Sequence, residues 1–170
     1  VDEVYDTSFG ADMTVVEEGR EFIERFSEGK NLPLFTSCCP GWVKFAENRF
    51  PDMLDNISTC KSPQQMFGSV IREYYKEKDR EEGKETVVVS IMPCTAKKAE
   101  VAREEFKVDG VRDVELVITT QELAMLIKEA GIVFDELEEE AFDMPFGLAS
   151  GAGVIFGSTG GVAEAVVRSL

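Results

Sequence analysis

Apolar positions along the chain recur in two rhythms, one helical and one extended. In "TVVEEGREFIERFSEG", residues 14–29, Val15, Phe22, Ile23 and Phe26 recur at helical spacing. Thr14 reads as an N-cap, with Glu17 completing a capping box and Gly29 stopping the helix. "LPLFTS" is a short apolar run that reads as a buried strand. Pro40 then suits the first turn of a helix through "PGWVKFAENRF", which Pro51 ends. A longer helix follows in "SPQQMFGSVIREYYKEKDREEGK", capped by Ser62 with Pro63 at its first position. Its charged tail reads as a solvated helix end and loop.

The second half alternates more clearly. "TVVVSIMP", residues 86–93, is β-branched, continuous and closed by proline, the pattern of a buried strand. "CTAKKAEVAREEF" reads as a helix, "DVELVITT" as a strand and "TQELAMLIKEAG" as a helix with a glycine stop. "SGAGVIFGSTGGVAEAVVR" is glycine-rich and then helical. Alternating strands and helices predict an α/β fold, a mostly parallel β-sheet flanked by helices. Sites in such folds gather where strands end and helices begin. Three segments occupy such junctions: "FTSCCPGW", "IMPCTAKK" and the glycine-rich stretch from Ser150. Two of them carry cysteine.

Charge and composition narrow the chemistry. The 170 residues suffice for one domain with a core, and the net charge of −15 argues against a nucleic-acid partner. No apolar run is long enough to span a membrane. The absence of histidine removes serine–histidine hydrolysis and most zinc or haem sites. The chain opens at Val1 without methionine and stops at Leu170 inside an apolar helical run, so a truncated piece of a larger protein is expected.

The four cysteines are Cys38, Cys39, Cys60 and Cys94, with no CxxC pair and no spacing of a secreted disulfide framework. Adjacent side chains diverge in either regular backbone, so Cys38 and Cys39 serve two different points. Cys39 precedes Pro40 at a helix start, where the backbone dipole favours a thiolate. Cys94 follows Pro93 at a similar junction. Two such thiolates suit an iron–sulfur cluster, which usually takes four cysteines. Read singly, each cysteine is equally a small buried hydrophobe. Lys97 and Lys98 by default lie on a helix surface, and Glu18 and Glu21 on a solvated face. "GSTGG" lacks the lysine of a phosphate-binding loop.

"TSCCPGW" and "MPCTAKKAE" resemble the first two signature motifs of the catalytic domain of FeFe (iron-only) hydrogenases. "SPQQMFG" and "SGAGVIFGSTGGV" resemble that domain too, in the same order, and the likeness runs from about Val4 to the end. The resemblance implies the fold of that catalytic domain. It also implies an H-cluster, a cubane 4Fe–4S cluster joined through a cysteine sulfur to a two-iron subcluster carrying CO, cyanide and a bridging azadithiolate. Cys39 and Cys94 match two cubane ligands. Cys38 matches the thiol that hands protons to the bridging amine, so neighbouring sulfurs hold two jobs. Lys97 matches a hydrogen-bond donor to a cyanide. Met92, Pro93 and Ser62 match the cavity lining, with Gln64 and Phe156 near it. Glu18, Glu21 and Ser58 match a proton path from the surface, and Cys60 matches no ligand.

The implied reaction is reversible reduction of protons to H2, with electrons from ferredoxin or a similar carrier. The implied setting is cytoplasmic, and the implied partners include maturation proteins and the remaining part of the hydrogenase. The family's third motif, which supplies the last two cysteines and the bridging sulfur, is absent, so the chain reads as the first part of that domain. Two related branches compete with the enzyme. One is a non-catalytic iron–sulfur assembly or prelamin-binding relative, which typically lacks the first of the paired cysteines. The other is a hydrogen-sensing relative, which tends to alter the relay. Cys38 and Lys97 together favour the enzyme.

Overall fold

A computed structural model describes residues Val1–Leu170. The chain forms two compact units, one of Val1–Tyr5 with Gly68–Met144 and one of Asp6–Phe67 with Pro145–Leu170. The division falls inside a helix, after Phe67.

The second of these units is helical. Helix α1 spans Ser8–Glu28, α2 Pro40–Arg49, and a 3-10 turn Pro51–Asn56 follows. Helix α3 spans Pro63–Glu82 and starts in this unit. Two glycine-led helices, α6 (Gly151–Ile155) and α7 (Gly161–Ser169), pack on α1. The α1 helix begins six residues before Thr14, and Thr14 is not its cap. Thr14 is 1% exposed, and its hydroxyl donates to the Gly10 carbonyl at 3.0 Å. A capping pattern there loses to burial, because "SFGADMT" contributes Gly10, Ala11 and Thr14 to the packed face. A side chain at Gly10 would meet the Pro63 carbonyl oxygen at 2.5 Å, so glycine allows the start of α3 to approach α1. The expected apolar stripe holds at Val15 but not at Ile23 and Phe26, which are exposed. Instead the last part of the packed face carries Glu18.

"LPLFTS" makes only one isolated parallel bridge, Phe35 to Ile57, rather than a buried strand. The Pro40 and Pro63 helix starts are as expected, since proline's fixed φ suits the first turn. Phe35, Trp42, Phe45 and Phe50 follow one another in ring contacts of 5.6–6.2 Å. The second glycine-rich turn is tight. Gly160 caps α7 with φ 75°, and a side chain at Gly161 would strike the Ile155 carbonyl oxygen at 1.8 Å.

The other unit is α/β. Strands β1 (Val89–Met92) and β4 (Leu116–Thr119) pair in parallel, Val89 opposite Leu116 and Met92 opposite Thr119. Helices α4 (Ala96–Glu100) and α5 (Thr120–Glu129) pack on them. Met92, Val101, Val114 and Val117 form the core, with Val88 against it. Each such burial contributes about 1.5–3 kcal/mol. The β1 strand is buried on one face only, because Val89 and Ile91 are exposed. The predicted helix over residues 94–106 is cut short at Glu100, with a 3-10 turn at Glu104–Phe106. Strands β2 (Lys107–Val108) and β3 (Val111–Arg112) form a hairpin about Asp109 and Gly110, both at positive φ. Thr119 caps α5 in a complete capping box with Glu122. Close approach again selects glycine, since a side chain at Gly68 of α3 would meet the Asp113 carbonyl oxygen at 2.6 Å.

Candidate functional site

Three polar residues of α1 lie on one face at spacings of three and four: Glu18, Glu21 and Arg25. The chain after the 3-10 turn runs past them through Ser58, Thr59 and Cys60. The Ser58 hydroxyl donates to Glu21 Oε2 at 2.7 Å and accepts the Cys60 amide at 3.2 Å. The Thr59 amide donates to both Glu21 oxygens at 3.1 Å. Arg25 Nη2 pairs with Glu21 Oε1 at 2.6 Å and donates to the Ile57 carbonyl at 3.0 Å. Its Nη1 reaches the Asp55 and Asn31 carbonyls at 2.8 and 3.2 Å. Arg25 thus fixes both the carboxylate and the chain behind it.

The two carboxylates are opposed in character. Burial works against ionising Glu21, but the bonds from Ser58, Thr59 and Arg25 outweigh it and hold its carboxyl below the ordinary value. Glu18 is 1% exposed, and both its oxygens are buried without a well-formed hydrogen bond, beside the Ser58 hydroxyl and the Ser37 main chain. Burial pushes its carboxyl up, and the neighbouring Glu21 adds to the rise. Cys60 is half-buried with Sγ 3.6 Å from Glu21 Oε2. Burial first, and the two carboxylates after it, push its thiol up to about 12. Sequence reasoning placed Glu18, Glu21 and Ser58 together but missed Arg25 and Thr59. The Glu–x–x–x–Arg spacing from Glu21 was the available signal for Arg25.

Cys38 and Cys39 end the loop before α2. Cys38 is half-buried and Cys39 exposed, as diverging side chains require. Cys39 has extended backbone and caps α2, with its carbonyl accepting the Val43 amide at 3.0 Å. The Ser37 hydroxyl donates to the Cys60 carbonyl at 2.7 Å and so ties this loop to the Ser58–Cys60 segment. Ser62, 2% exposed, precedes α3 and accepts the Met66 amide at 2.8 Å, and Gln64 is also buried. Phe156 is half-buried at the end of α6.

In the α/β unit, Met92 ends β1 buried in the core, while Pro93 and Cys94 are exposed at the turn into α4. Lys97 is buried and ion-paired to Glu100, Nζ lying 3.1 and 3.3 Å from its two oxygens. The lysine is therefore not the surface residue that helix position alone suggests. Glu100 was not singled out from sequence, although its i,i+3 spacing from Lys97 was the signal.

The whole chain, residues 1–170, matches the family described as iron only hydrogenase large subunit, C-terminal domain. The chain belongs to this family. It is 53% identical over 174 residues to the NADP-reducing hydrogenase subunit HndD of Solidesulfovibrio fructosivorans, covering 99% of this chain and 30% of that protein. It is 49% identical over 168 residues to iron hydrogenase 1 of Clostridium pasteurianum, covering 99% and 29%. An apo FeFe-hydrogenase HydA1 variant from Chlamydomonas reinhardtii superposes with TM-score 0.83 at 48% identity, covering 99% of this chain and 43% of that one. At lower identity, 36% over 147 residues, the chain resembles cytosolic iron–sulfur assembly component 3 of Bos taurus, covering 82% and 31%. The chain therefore spans under half the length of these relatives.

The iron-only hydrogenase family implies an iron–sulfur cofactor, and the donors present fit one in kind. Cys39 and Cys94 are exposed thiols at helix starts, the soft ligands that iron–sulfur clusters take. No group of three or more cysteine and acidic side chains of this chain is arranged to hold a metal ion by itself. No helix is long and apolar enough to cross a membrane.

Proposed function

We propose that this chain is the first part of the catalytic domain of an FeFe hydrogenase, serving the reversible reduction of protons to H2 with electrons from ferredoxin or a similar carrier. One observation carries the reading: Ser58 bridges two carboxylates of opposite character, bonded at 2.7 Å to Glu21 and lying beside Glu18. Glu21, held low by its donors, is the ionised group that meets protons from the surface. Glu18, pushed up by burial, is the group that keeps one. Once Glu21 takes a proton, its new O–H donates to Ser58 Oγ and the serine hydroxyl turns from Glu21 to Glu18. The serine's proton passes to one Glu18 oxygen as Glu21's passes to the serine, and Glu18 releases the proton it already held from its other oxygen towards Cys38. Cys38 is the thiol that delivers it to the metal site.

The H-cluster, when bound, supplies the redox chemistry at which protons and electrons combine. Cys39 and Cys94 hold its cubane together with cysteines supplied from outside these 170 residues. Lys97 donates a charge-assisted hydrogen bond to an anionic ligand. Met92, Pro93, Ser62, Gln64 and Phe156 line or flank the cavity. Maturation proteins load the cofactor, and the cytoplasm is the setting.

The test separates the neighbouring thiols in the complete holoprotein. Cys38→Ala is expected to keep the cubane signal in electron paramagnetic resonance while turnover nearly vanishes, and Cys39→Ala to lose the cubane itself. Equal loss of the cluster from both variants would sink the two-role reading. A Cys38→Ala protein with unchanged biological activity and no hydrogen turnover in the parent would instead favour an assembly role like that of the Bos taurus relative.

A further inference from the structure

We propose that Glu100 is a positioning residue for Lys97: its carboxylate holds the lysine ammonium at the point where it meets the anionic ligand of the metal site. The inference rests on the functional reading above. Lys97 Nζ lies 3.1 Å from one oxygen of Glu100 and 3.3 Å from the other, so the ammonium sits astride the carboxylate. The two side chains are 11% and 4% exposed. The Lys98–Glu122 pair nearby in sequence is 40% exposed on both sides, in the ordinary range of a solvated surface contact.

A buried pair of this kind is a poor device for stability. Taking two charges out of water costs about what their attraction returns, and an apolar pair of similar volume often serves as well or better. Nor does it serve α4 as a helix, since the element has only five residues. The pair makes sense where a cation has to be presented at a fixed point. A lysine side chain is long and freely rotating, so an ammonium left to itself samples many positions. Helix geometry instead sets the separation here. The Lys97 carbonyl accepts the Val101 amide at 3.2 Å, and the Glu100 carbonyl accepts the Arg103 amide at 3.0 Å, so both backbones belong to one wound segment. An ammonium carries three donors, so the contact with Glu100 and a bond to an anion coexist. The arrangement parallels the carboxylates that orient metal-binding histidines from behind.

The test uses the complete, cofactor-loaded protein and the infrared bands of metal-bound cyanide. Lys97→Met is the reference, and it is expected to shift those bands. Glu100→Gln is expected to shift the same bands in the same direction by at least half as much, and to lower turnover about 10- to 100-fold. In the Lys97→Met background, adding Glu100→Gln is expected to move the bands no further, because it acts through the lysine. A Glu100→Gln protein with a lower melting temperature but unmoved bands overturns the proposal and leaves the lysine's role intact. Bands unmoved by Lys97→Met overturn both. If Glu100→Gln does not load, Glu100→Asp decides. It keeps the charge one methylene shorter, and a loaded Glu100→Asp protein with unmoved cyanide bands overturns the proposal.

Discussion

The segment Ser58–Cys60 and the loop Ser37–Pro40 each carry cysteine, and they treat it in opposite ways. Cys60 lies among carboxylates with its thiol pushed up to about 12, its amide bonded to Ser58 and its carbonyl to Ser37. Such a sulfur keeps its proton and packs. Cys39 stands exposed at the start of α2, and Cys94 is likewise exposed before α4. Those sulfurs are available to a soft metal. Residue type therefore says little about a thiol's work here. What separates the two classes is whether the backbone delivers the sulfur to solvent at a helix start or encloses it beside acids.

The contrast breaks most visibly at the ligands. Cys94→Ala in the holoprotein is expected to abolish cubane loading, whereas Cys60→Ala keeps it; iron and sulfide analysis with electron paramagnetic resonance reads the difference. Equal iron loss from the two would erase the distinction between enclosed and presented thiols. Next in size is the proton path proposed through Glu21. Glu21→Ala removes the acceptor of Ser58, Thr59 and Arg25 together, and proton-transfer groups commonly contribute about 10²- to 10⁴-fold. Turnover is expected to fall on that scale while infrared bands of the metal ligands stay in place. Band shifts as large as those from Lys97 substitution would put Glu21 at the metal instead.

A smaller effect sharpens the comparison between the two acids. Glu18's raised carboxyl binds its proton more tightly folded than unfolded, so its contribution is full below the ordinary carboxylate value. That contribution is lost as pH rises through the folded value. Glu21's depressed carboxyl contributes in the opposite sense: its stability is present above the ordinary value and lost as pH falls through the lowered one. Glu18→Gln is therefore expected to raise the melting temperature at neutral pH, by about 2–4 °C for each kcal/mol removed, with little gain at pH 4. A Glu18→Gln protein no more stable at pH 7 than the parent would contradict burial as the cause. The smallest effect is in reactivity. In the metal-free protein at pH 8, iodoacetamide is expected to label Cys39 and Cys94 well before Cys60, read by mass spectrometry. Cys60 reacting as fast as Cys39 would contradict its enclosure.

Much of this was legible where a single residue type dictates local geometry. Pro40 and Pro63 announced their helices, whereas the Thr119–Glu122 spacing that caps α5 went unread in the sequence. The same logic failed at Thr14 and Glu17, because a capping pattern carries no information about what packs against it. Gly10, a helix breaker by propensity, is needed where Pro63 comes close, and α1 runs straight through it. The β-branched run at 86–93 suggested two buried faces, whereas Val89 and Ile91 are exposed. The Asp109–Gly110 hairpin had a recognisable turn dipeptide between short apolar stretches, and that signal went unused. In the site, acids at i and i+3 were readable as one helix face. Their opposed electrostatics were not, because those depend on Ser58 and Thr59, more than thirty residues away in the chain.

The Asp12 carboxylate accepts the Ser150 hydroxyl at 2.7 Å and the Gly153 amide at 2.9 Å, and thereby joins α1 to α6 across some 140 residues of chain. That closure has a cost in time. On the ribosome, α1 is the first of these helices to be made, and α6 and α7, which pack on it, are the last. At about 5–20 residues per second, the wait is roughly 7–28 s. Contacts so distant in sequence also close slowly once available. Throughout that interval the helix carrying Glu18 and Glu21 has residues 55–59 and the start of α3 to pack on, but the face that α6 and α7 cover stays open.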